Sequence, residues 1–300
     1  MIYTCTFSPA IDYTPTVEQF TVGQLNRTKE VHYLPGGKGI NVSRILTEFA
    51  CETTALGFVG GFTGVFLKQL LEAQQIRTDF IETNEVTRIN VKIKSDIETE
   101  LNGPSPMITT TMFEQLLNQI RQARKGDWFV LSGAVPNGFD LTQLLAIIQE
   151  RELQFVADIA GQVLHEIVQY KPFLVKPNLE ELGELFQVSL QTAEQAIPYA
   201  KKLQALGATY VIVSLGGDGA LLVTEEDVFY ANAPKGQVVN TVGAGDSVVA
   251  TTIAFYSRNV VIQEAFRYGV AAGSATAFQL DLCKKEDVIK LVNDVSIKKL

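Results

Sequence analysis

A glycine-rich segment late in the chain combines residue types that could bind an anion and accept a proton. It reads Asn240-Thr241-Val242-Gly243-Ala244-Gly245-Asp246-Ser247 and precedes an apolar run that predicts a helix. The glycines allow a tight turn of backbone amides, and the helix start adds positive partial charge, so the segment could hold an anion such as a phosphoryl group. Asp246 would repel that anion unless it takes a proton from an attacking hydroxyl group. The alternative is a helix cap formed by Asp246.

A second glycine-rich segment, Gly36-Gly37-Lys38-Gly39-Ile40-Asn41, also opens a predicted helix. It is not a Walker A loop, because the chain has no G-x-x-x-x-G-K-[ST] run. Its glycines permit close approach of a ligand to the backbone, and Lys38 and Asn41 could meet a phosphate or hydroxyl groups. The alternative is a turn and helix start with a solvated lysine.

Two further segments lie where predicted strands end. Ser214-Leu215-Gly216-Gly217-Asp218-Gly219-Ala220 follows a strand, at the position where α/β sheets bind ligands, although it also fits a hairpin turn. Lys176-Pro177-Asn178-Leu179-Glu180-Glu181 fits a capping box between Asn178 and Glu181. Alternatively, Glu181 could hold the water shell of Mg²⁺, which prefers few carboxylates together with phosphate oxygens.

Two single residues could bind a phosphorylated sugar. Asp12, just after the first predicted strand, could accept hydrogen bonds from sugar hydroxyls. Arg88, at the start of a later strand, could grip a phosphate with its forked guanidinium group. The alternatives are a turn residue and a solvated charge.

The elements that must position these residues alternate between strands and helices. Apolar patterns predict strands at 2–7, 54–59, 128–131, 154–157, 173–175, 210–214 and 221–223, and helices at 40–49, 65–73, 141–149, 248–256, 262–278 and 285–292. This alternation predicts an α/β fold with a mainly parallel sheet covered by helices on both faces. Residues 13–34 and about 88–103 lack helical patterns, and we expect a small inserted sheet there. The alternation of Ile89, Val91 and Ile93 with polar residues indicates that one face of this sheet is in solvent.

Composition narrows the functional classes. The chain has 300 residues, of which 46% are hydrophobic, so it can bury a sizeable core. Its net charge of −8 opposes binding to nucleic acid or to an anionic membrane surface. Three cysteines without a CxxC motif indicate reduced thiols, and two histidines are too few for most zinc sites. With no secretory signal visible, these features predict a cytoplasmic location.

The order and spacing of the motifs resemble the ribokinase-like (PfkB) carbohydrate kinase family nearly from end to end. Gly36 to Asn41 resembles the first family signature, Val242 to Asp246 the second, and Asn178 with Glu181 the N-x-x-E metal element. Within the family, Thr87-Arg88-Ile89-Asn90-Val91-Lys92 is most similar to the hexose-phosphate branch that acts on fructose 1-phosphate. The resemblance implies transfer of the γ-phosphoryl group of ATP to the 6-hydroxyl of fructose 1-phosphate, giving fructose 1,6-bisphosphate.

The resemblance also implies residue roles. Asp246 would be the base, and the anion hole would be formed by Gly243, Ala244 and Gly245. The sugar phosphate would be bound by Asp12, Gly37, Lys38, Asn41, Arg88 and Arg27, with Lys38 and Arg27 close to the phosphate that Arg88 grips. ATP would be bound by Lys176, Asn178, Ser214, Gly216, Gly217, Asp218 and Gly219. Mg²⁺ would accompany ATP and be held by Glu181, and a monovalent cation is a further candidate cofactor.

For the whole chain, the resemblance implies a single ribokinase-like domain, 1–300. The inserted sheet would be a lid that excludes water, and pairing of lids would give a homodimer. Kinases for tagatose 6-phosphate or fructose 6-phosphate are the near alternatives, with the same chemistry and another sugar. A non-catalytic sensor of sugar phosphates or nucleotides is the alternative from another class.

Overall fold

The structure, a computed structural model, describes residues 1–136 and 139–300. Its strands are β1 (Ile2–Thr6), β2 (Ala10–Thr16), β3 (Glu30–Gly36), β4 (Thr53–Val59), β5 (Arg77–Glu82), β6 (Arg88–Ile93), β7 (Thr99–Asn102), β8 (Trp128–Ser132), β9 (Gln154–Asp158), β10 (Leu174–Val175), β11 (Tyr210–Ser214), β12 (Ala220–Val223), β13 (Val228–Ala231) and β14 (Ile297–Lys299). Its helices are α1 (Lys38–Glu48), α2 (Gly61–Ala73), α3 (Thr110–Arg121), α4 (Thr142–Glu150), α5 (Gln162–Val168), α6 (Leu179–Phe186), α7 (Ala193–Ala205), α8 (Ala244–Tyr256), α9 (Ile262–Ala277) and α10 (Lys285–Leu291). Within these ranges, no helix combines the length and apolarity needed to cross a bilayer.

A ten-stranded sheet forms the centre, in the order β14-β13-β12-β11-β10-β9-β8-β1-β4-β5. The seven strands from β11 to β5 pair in parallel, and β12, β13 and β14 extend the sheet with antiparallel pairs. The predicted mainly parallel sheet is therefore confirmed. Strands β4 and β5 lie on one side of β1 in the sheet, and β8 to β11 lie on the other side, so the strand order reverses direction at β1. The carboxyl ends of the strands beside such a reversal are where open α/β sheets bind ligands.

Helices cover both faces of this sheet, as predicted. Alternate residues of β8 show the division: Phe129 and Leu131 pack into one core with helices α3 to α7. Trp128 and Val130 pack into a second core with α1, α8, α9 and α10. The first four residues of β8, 128–131, are all large and apolar because both faces of the strand are buried.

A second, four-stranded sheet is inserted at two points, in the order β3-β2-β6-β7. Strands β2 and β3 follow β1 directly and form an antiparallel pair, and β6 then pairs with β2 in parallel. The sheet thus joins two distant segments of sequence, which are those predicted to lack helices. Strand β3 ends at Gly36, where α1 begins two residues later, so this sheet delivers the chain to the first glycine-rich segment.

The two faces of β6 differ in exposure, as the alternation predicts, and the polar face is the buried one. Its polar residues Asn90 and Lys92 are only 7% and 8% exposed, whereas Ile89 on the opposite face is 42% exposed. The polar face is buried because Asn90 and Lys92 both contact the carboxylate of Asp12 on β2. A strictly alternating pattern shows that the two faces differ, but it does not show which face meets solvent.

Candidate active site

The start of α8 is a turn with free backbone donors. Gly243 is the N-cap residue and has a φ angle of 78°, in the left-handed region that glycine enters without strain. The amide of Ala244 donates to the carbonyl of Thr241 at 3.2 Å. The amides of Gly243 and Gly245 have no hydrogen-bond acceptor in the part of the chain that the structure describes. Free donors at the positive end of a helix dipole can bind an anion.

Asp246 is the third residue of α8, and no side chain caps this helix, so the alternative of a capping Asp246 is wrong. Its carboxylate is buried, and Oδ2 accepts a hydrogen bond of 2.8 Å from Nδ2 of Asn41 on α1. Burial, followed by the negative charge of Asp158, raises the pKa of Asp246 to about 7. The carboxyl group can therefore exchange a proton near neutral pH.

A buried carboxylate and two lysines lie at the carboxyl edge of the central sheet. Asp158, the last residue of β9, is 1% exposed. One of its oxygens, Oδ1, lies 3.5 Å from Nζ of Lys38 and 3.3 Å from Nζ of Lys176. Burial opposes ionisation of Asp158, but the two lysines outweigh burial and hold its pKa below the usual value. Asp158 in turn raises the pKa of Lys38, so the ammonium group of Lys38 stays charged here.

The two lysines approach the anion-binding turn from different elements. A Cβ atom added to Gly245 would lie 3.0 Å from Nζ of Lys176, which follows β10. Lys38 is the first residue of α1, and its charge also interacts with that of Asp246. Lys38 is therefore on the Asp246 side of the site, in contact with Asp158, whereas the sequence expectation put it beside Arg88.

Glu181 uses its two carboxylate oxygens differently. Oε2 accepts a hydrogen bond of 2.9 Å from the backbone amide of Asn178, and Asn178 caps the amide of Glu181 in return. The predicted capping box is therefore present at the start of α6. The other oxygen, Oε1, lies 3.8 Å from Nζ of Lys38 and thus faces the same centre as Asp158. The capping hydrogen bond uses only Oε2, so Oε1 can still take part in another contact.

A cavity of about 570 Å³ adjoins the turn at the start of α8. Its lining includes Ala244 and Gly245 of that turn and five residues predicted from the sequence for nucleotide binding, Asn178, Ser214, Gly216, Gly217 and Gly219. Asp218 is not among the residues that line this cavity. It lies in the short 3₁₀ turn between Gly217 and Gly219, borders a separate groove, and accepts a hydrogen bond at its backbone oxygen from Tyr230.

The second sheet contributes the remaining predicted residues. Asp12 is buried and receives hydrogen bonds or ion pairs from Asn90 and Lys92. The guanidinium group of Arg88 donates to the backbone oxygens of Ser8 and Gly103, both at 3.2 Å. A small cleft brings Asp12, Lys92 and Asn41 together, which links the second sheet to the residue that holds Asp246. Arg27 is exposed in the segment between β2 and β3, and nothing in the described chain joins it to the site by a hydrogen bond or ion pair.

Sequence reasoning missed two parts of this site. Asp158 could have been found from the sequence, because it is an acidic residue directly after the strand predicted at 154–157. The segment of Ala233 to Val238 and the end of α9, with Phe278, line the cavity without a chemical motif. Their contact is close: a Cβ atom on Gly236 would lie 2.4 Å from the ring of Phe278. Nothing in the sequence pairs these two residues, which are 42 positions apart.

Transfer of a phosphoryl group to a hydroxyl requires a proton acceptor near neutral pH and donors that can bind an anion, and the start of α8 offers both beside a cavity. The sequence profile described as pfkB family carbohydrate kinase matches residues 1–286. The chain belongs to this family, and the predicted kinase class is confirmed.

Individual relatives agree with this assignment. The chain is similar to a 1-phosphofructokinase of Bacillus subtilis, with 47% identity over 100% of both chains. It is also similar to a D-tagatose-1-phosphate kinase of Bacillus licheniformis, with 38% identity over 97% of this chain and 96% of the other. Among solved structures, phosphofructokinase-2 of Escherichia coli in complex with substrates and products matches with a TM-score of 0.92, 30% identity and 98% coverage of each chain. Other structures of the E. coli protein contain potassium or show a tetrameric inhibited form.

Proposed function

We propose that this chain is a 1-phosphofructokinase, which transfers the γ-phosphoryl group of ATP to the 6-hydroxyl of fructose 1-phosphate. The observation that carries the proposal is the buried carboxylate of Asp246, whose pKa is raised to about 7. It lies beside the amides of Gly243 and Gly245, which have no acceptor among the residues that the structure describes. A base of this pKa can accept the proton of the attacking hydroxyl at neutral pH. The amides would bind the oxygens of the phosphoryl group as it moves.

The cations around Asp158 support the same reaction. Phosphoryl transfer depends on positioning and on neutralising charge rather than on covalent help from the protein. Lys176 beside Gly245 and Lys38 beside Glu181 would neutralise the phosphate oxygens of ATP. The cavity next to the turn would hold the nucleotide, with Asn178, Ser214, Gly216, Gly217 and Gly219 along one wall.

The residues at this centre fit a Mg²⁺ ion that arrives with ATP. Apart from the two lysine contacts, both carboxylate oxygens of Asp158 are buried without a hydrogen-bond donor in the described chain. Glu181 offers a second carboxylate, and no cluster of three metal-ligating side chains occurs among the described residues. Mg²⁺ usually takes one or two carboxylates and completes its shell with phosphate oxygens and water. Bound here, it would neutralise charge on the phosphates of ATP, and a monovalent cation remains a further proposal.

The sugar phosphate would lie between α1 and the second sheet. Asp12, Gly37 and Asn41 would hold its hydroxyl groups, and Arg88 would bind its phosphate, with Arg27 on the neighbouring segment. The relatives named 1-phosphofructokinase and D-tagatose-1-phosphate kinase favour a ketohexose phosphorylated at carbon 1. Fructose 6-phosphate, which another solved structure of the E. coli relative contains, and tagatose 6-phosphate, named in a Staphylococcus epidermidis relative, are the alternatives. The presence of Asp246 with its hydrogen-bond partner Asn41 speaks against a non-catalytic sensor.

We also propose that the chain is one domain, 1–300, in which the second sheet acts as a lid over the sugar. The lid would exclude water that could otherwise hydrolyse ATP. Its outer face carries exposed apolar side chains, including Tyr33, Ile89 and Leu101, and these support pairing of two lids in a homodimer. The acidic composition and free cysteines support a cytoplasmic location.

A panel of substrates tests the proposal. ADP formation is measured with ATP and fructose 1-phosphate, tagatose 1-phosphate, fructose 6-phosphate, tagatose 6-phosphate or fructose. We expect the highest kcat/KM with fructose 1-phosphate and a far lower value with fructose, because buried polar groups left without partners discriminate strongly. A higher kcat/KM with another sugar phosphate would refute fructose 1-phosphate as the substrate but leave the kinase activity supported. The absence of ADP formation with every sugar would refute both claims.

A further inference from the structure

The polar face of β6 is turned into the protein. Side chains of a strand alternate between its two faces, so Arg88, Asn90 and Lys92 share one face. The aminoalkyl side chain of Lys92 is 10% exposed. Lysine is almost never buried to this degree unless it is paired, because removing its charge from water is costly. We therefore expect Lys92 to have a negatively charged partner nearby.

The partner of Lys92 is Asp12, which β2 places directly opposite Asn90. Nζ of Lys92 lies 2.9 Å from Oδ2 of Asp12, and Nδ2 of Asn90 donates to Oδ1 at 2.9 Å. On the third side, a Cβ atom on Gly36 would lie 2.4 Å from Oδ1 of Asp12, so only glycine fits there. Both oxygens of Asp12 are thus fixed in place before any substrate binds.

An ionised carboxylate can accept about four hydrogen bonds. Asn90 and Lys92 take one each, so each oxygen of Asp12 keeps room for a hydroxyl group.

The negative charge of Asp12 also acts on the phosphate group of the proposed substrate. Arg88, which would bind the phosphate of the sugar, lies only two residues before Asn90, about 7 Å along the strand. Without a compensating cation, Asp12 would repel the phosphate that its own substrate carries.

We propose that Lys92 is the residue that allows one pocket to accept both a sugar hydroxyl, through Asp12, and a sugar phosphate, through Arg88. Lys92 positions the carboxylate of Asp12 and cancels its charge. This inference rests on the proposed function, and it names Lys92 as a determinant of the preference for phosphorylated over unphosphorylated sugars. Lys92 touches Asp12 rather than the reacting atoms, so it is a positioning residue.

The test compares Lys92→Gln with the wild-type enzyme. Glutamine keeps a hydrogen-bond donor for Asp12 and loses the charge. We expect the KM for the preferred sugar phosphate to rise about 10- to 100-fold, as for the loss of a charged contact. The KM for ATP should change less than twofold. The kcat/KM for fructose, taken from the linear dependence of rate on concentration, should fall less than threefold.

Two further variants control the result. Lys92→Arg keeps the charge and should restore most of the selectivity that Lys92→Gln loses. Lys68→Met removes a lysine of the same charge on α2, where Lys68 forms an exposed ion pair with Glu82 of β5, and should leave all constants as in the wild type. Thermal unfolding of each variant shows whether it is folded, and Lys92→Arg serves as the folded comparison if Lys92→Gln is unstable.

The wild-type enzyme is first assayed with every sugar, and its preferred sugar phosphate is used for the variants. A preference for a sugar phosphate other than fructose 1-phosphate would contradict the proposed substrate and leave the role of Lys92 open to the same comparison. Equal losses on fructose and on the sugar phosphate in Lys92→Gln would overturn charge compensation. Unchanged kinetics in Lys92→Gln, or losses in Lys92→Arg as large as those in Lys92→Gln, would also overturn it.

Discussion

Replacing Asp246 with asparagine should separate catalysis from stability. Asparagine has nearly the same shape, and its side-chain oxygen can still accept the hydrogen bond from Asn41. No helix cap is lost, because Asp246 does not cap α8. The amide cannot accept the proton of a hydroxyl group, so kcat should fall by about 10²- to 10⁴-fold, or about 3–5 kcal/mol in activation free energy. Affinity for ATP should be retained.

The same substitution should stabilise the unliganded protein above neutral pH. The pKa of Asp246 rises from 3.8 in the unfolded chain to about 7 in the folded protein. For an acid whose folded pKa is raised, the unfolding free energy falls as the pH rises from the unfolded to the folded pKa, and is constant above it. The wild type should thus lose up to about 4 kcal/mol between pH 4 and pH 7. Asp246→Asn avoids this loss.

Three measurements check this prediction. Coupled ADP assays give kcat, calorimetric titration gives the affinity for ATP, and urea unfolding at pH 5 and pH 8 gives the stability difference. Asp246→Asn should exceed the wild type in unfolding free energy at pH 8, by a margin that shrinks at pH 5. Near-normal kcat would refute the role of Asp246 as the base. If Asp246→Asn has a lower unfolding free energy than the wild type at pH 8, the claim that the buried carboxylate of Asp246 destabilises the folded protein is refuted.

Other parts of the site lead to further predictions. Glu181→Gln keeps a capping side chain but should need several times more Mg²⁺ for half-maximal rate, and an unchanged Mg²⁺ titration would make Glu181 purely structural. Gly236→Ala should raise the KM for ATP with little change in kcat, because the new methyl group meets the ring of Phe278 in the proposed nucleotide cavity. An unchanged KM for ATP would indicate that the nucleotide binds elsewhere. Arg88→Ala should reduce kcat/KM for fructose 1-phosphate far more than for fructose, and equal losses would remove Arg88 from the phosphate site. Asp158→Asn should move the acid limb of the pH dependence of kcat/KM to lower pH, because it removes a negative charge that raises the pKa of Asp246. A shift of this limb to higher pH would contradict the interaction between the two carboxylates.

The parallel core of the fold could be predicted from sequence because its strands are buried on both faces. β8 and β11 are short runs of large apolar residues, and the structure places them within one residue of the predicted bounds. Strands β5 and β14 at the two edges of the sheet, and β13 next to β14, were not predicted, because partly exposed strands lack a continuous apolar run. Helix α8 begins at Ala244 rather than at Val248, because glycines in its first turn conceal the helical pattern.

The candidate site was predictable where a motif is local and not where the contact is between distant segments. The Gly243 to Asp246 turn and the capping box of Asn178 and Glu181 each lie within four residues of sequence. The partners of Asp12 are 78 and 80 positions away, and the alternating pattern of β6 does not show which of its two faces is buried. Lys38 was expected beside Arg88, but the side chain reaches Asp158, whose position only the folded sheet reveals.

The central claim is that Asp246 and the adjoining turn transfer a phosphoryl group from ATP to a sugar phosphate. ³¹P NMR of the purified protein with ATP, Mg²⁺ and fructose 1-phosphate follows every phosphorus atom in this reaction. The resonances of ADP and of a new phosphate ester on carbon 6 should grow in equal amounts as the γ-phosphoryl signal of ATP disappears, and Asp246→Asn should abolish both on the same time scale. Growth of inorganic phosphate in place of the ester, or an unchanged spectrum, would contradict the claim.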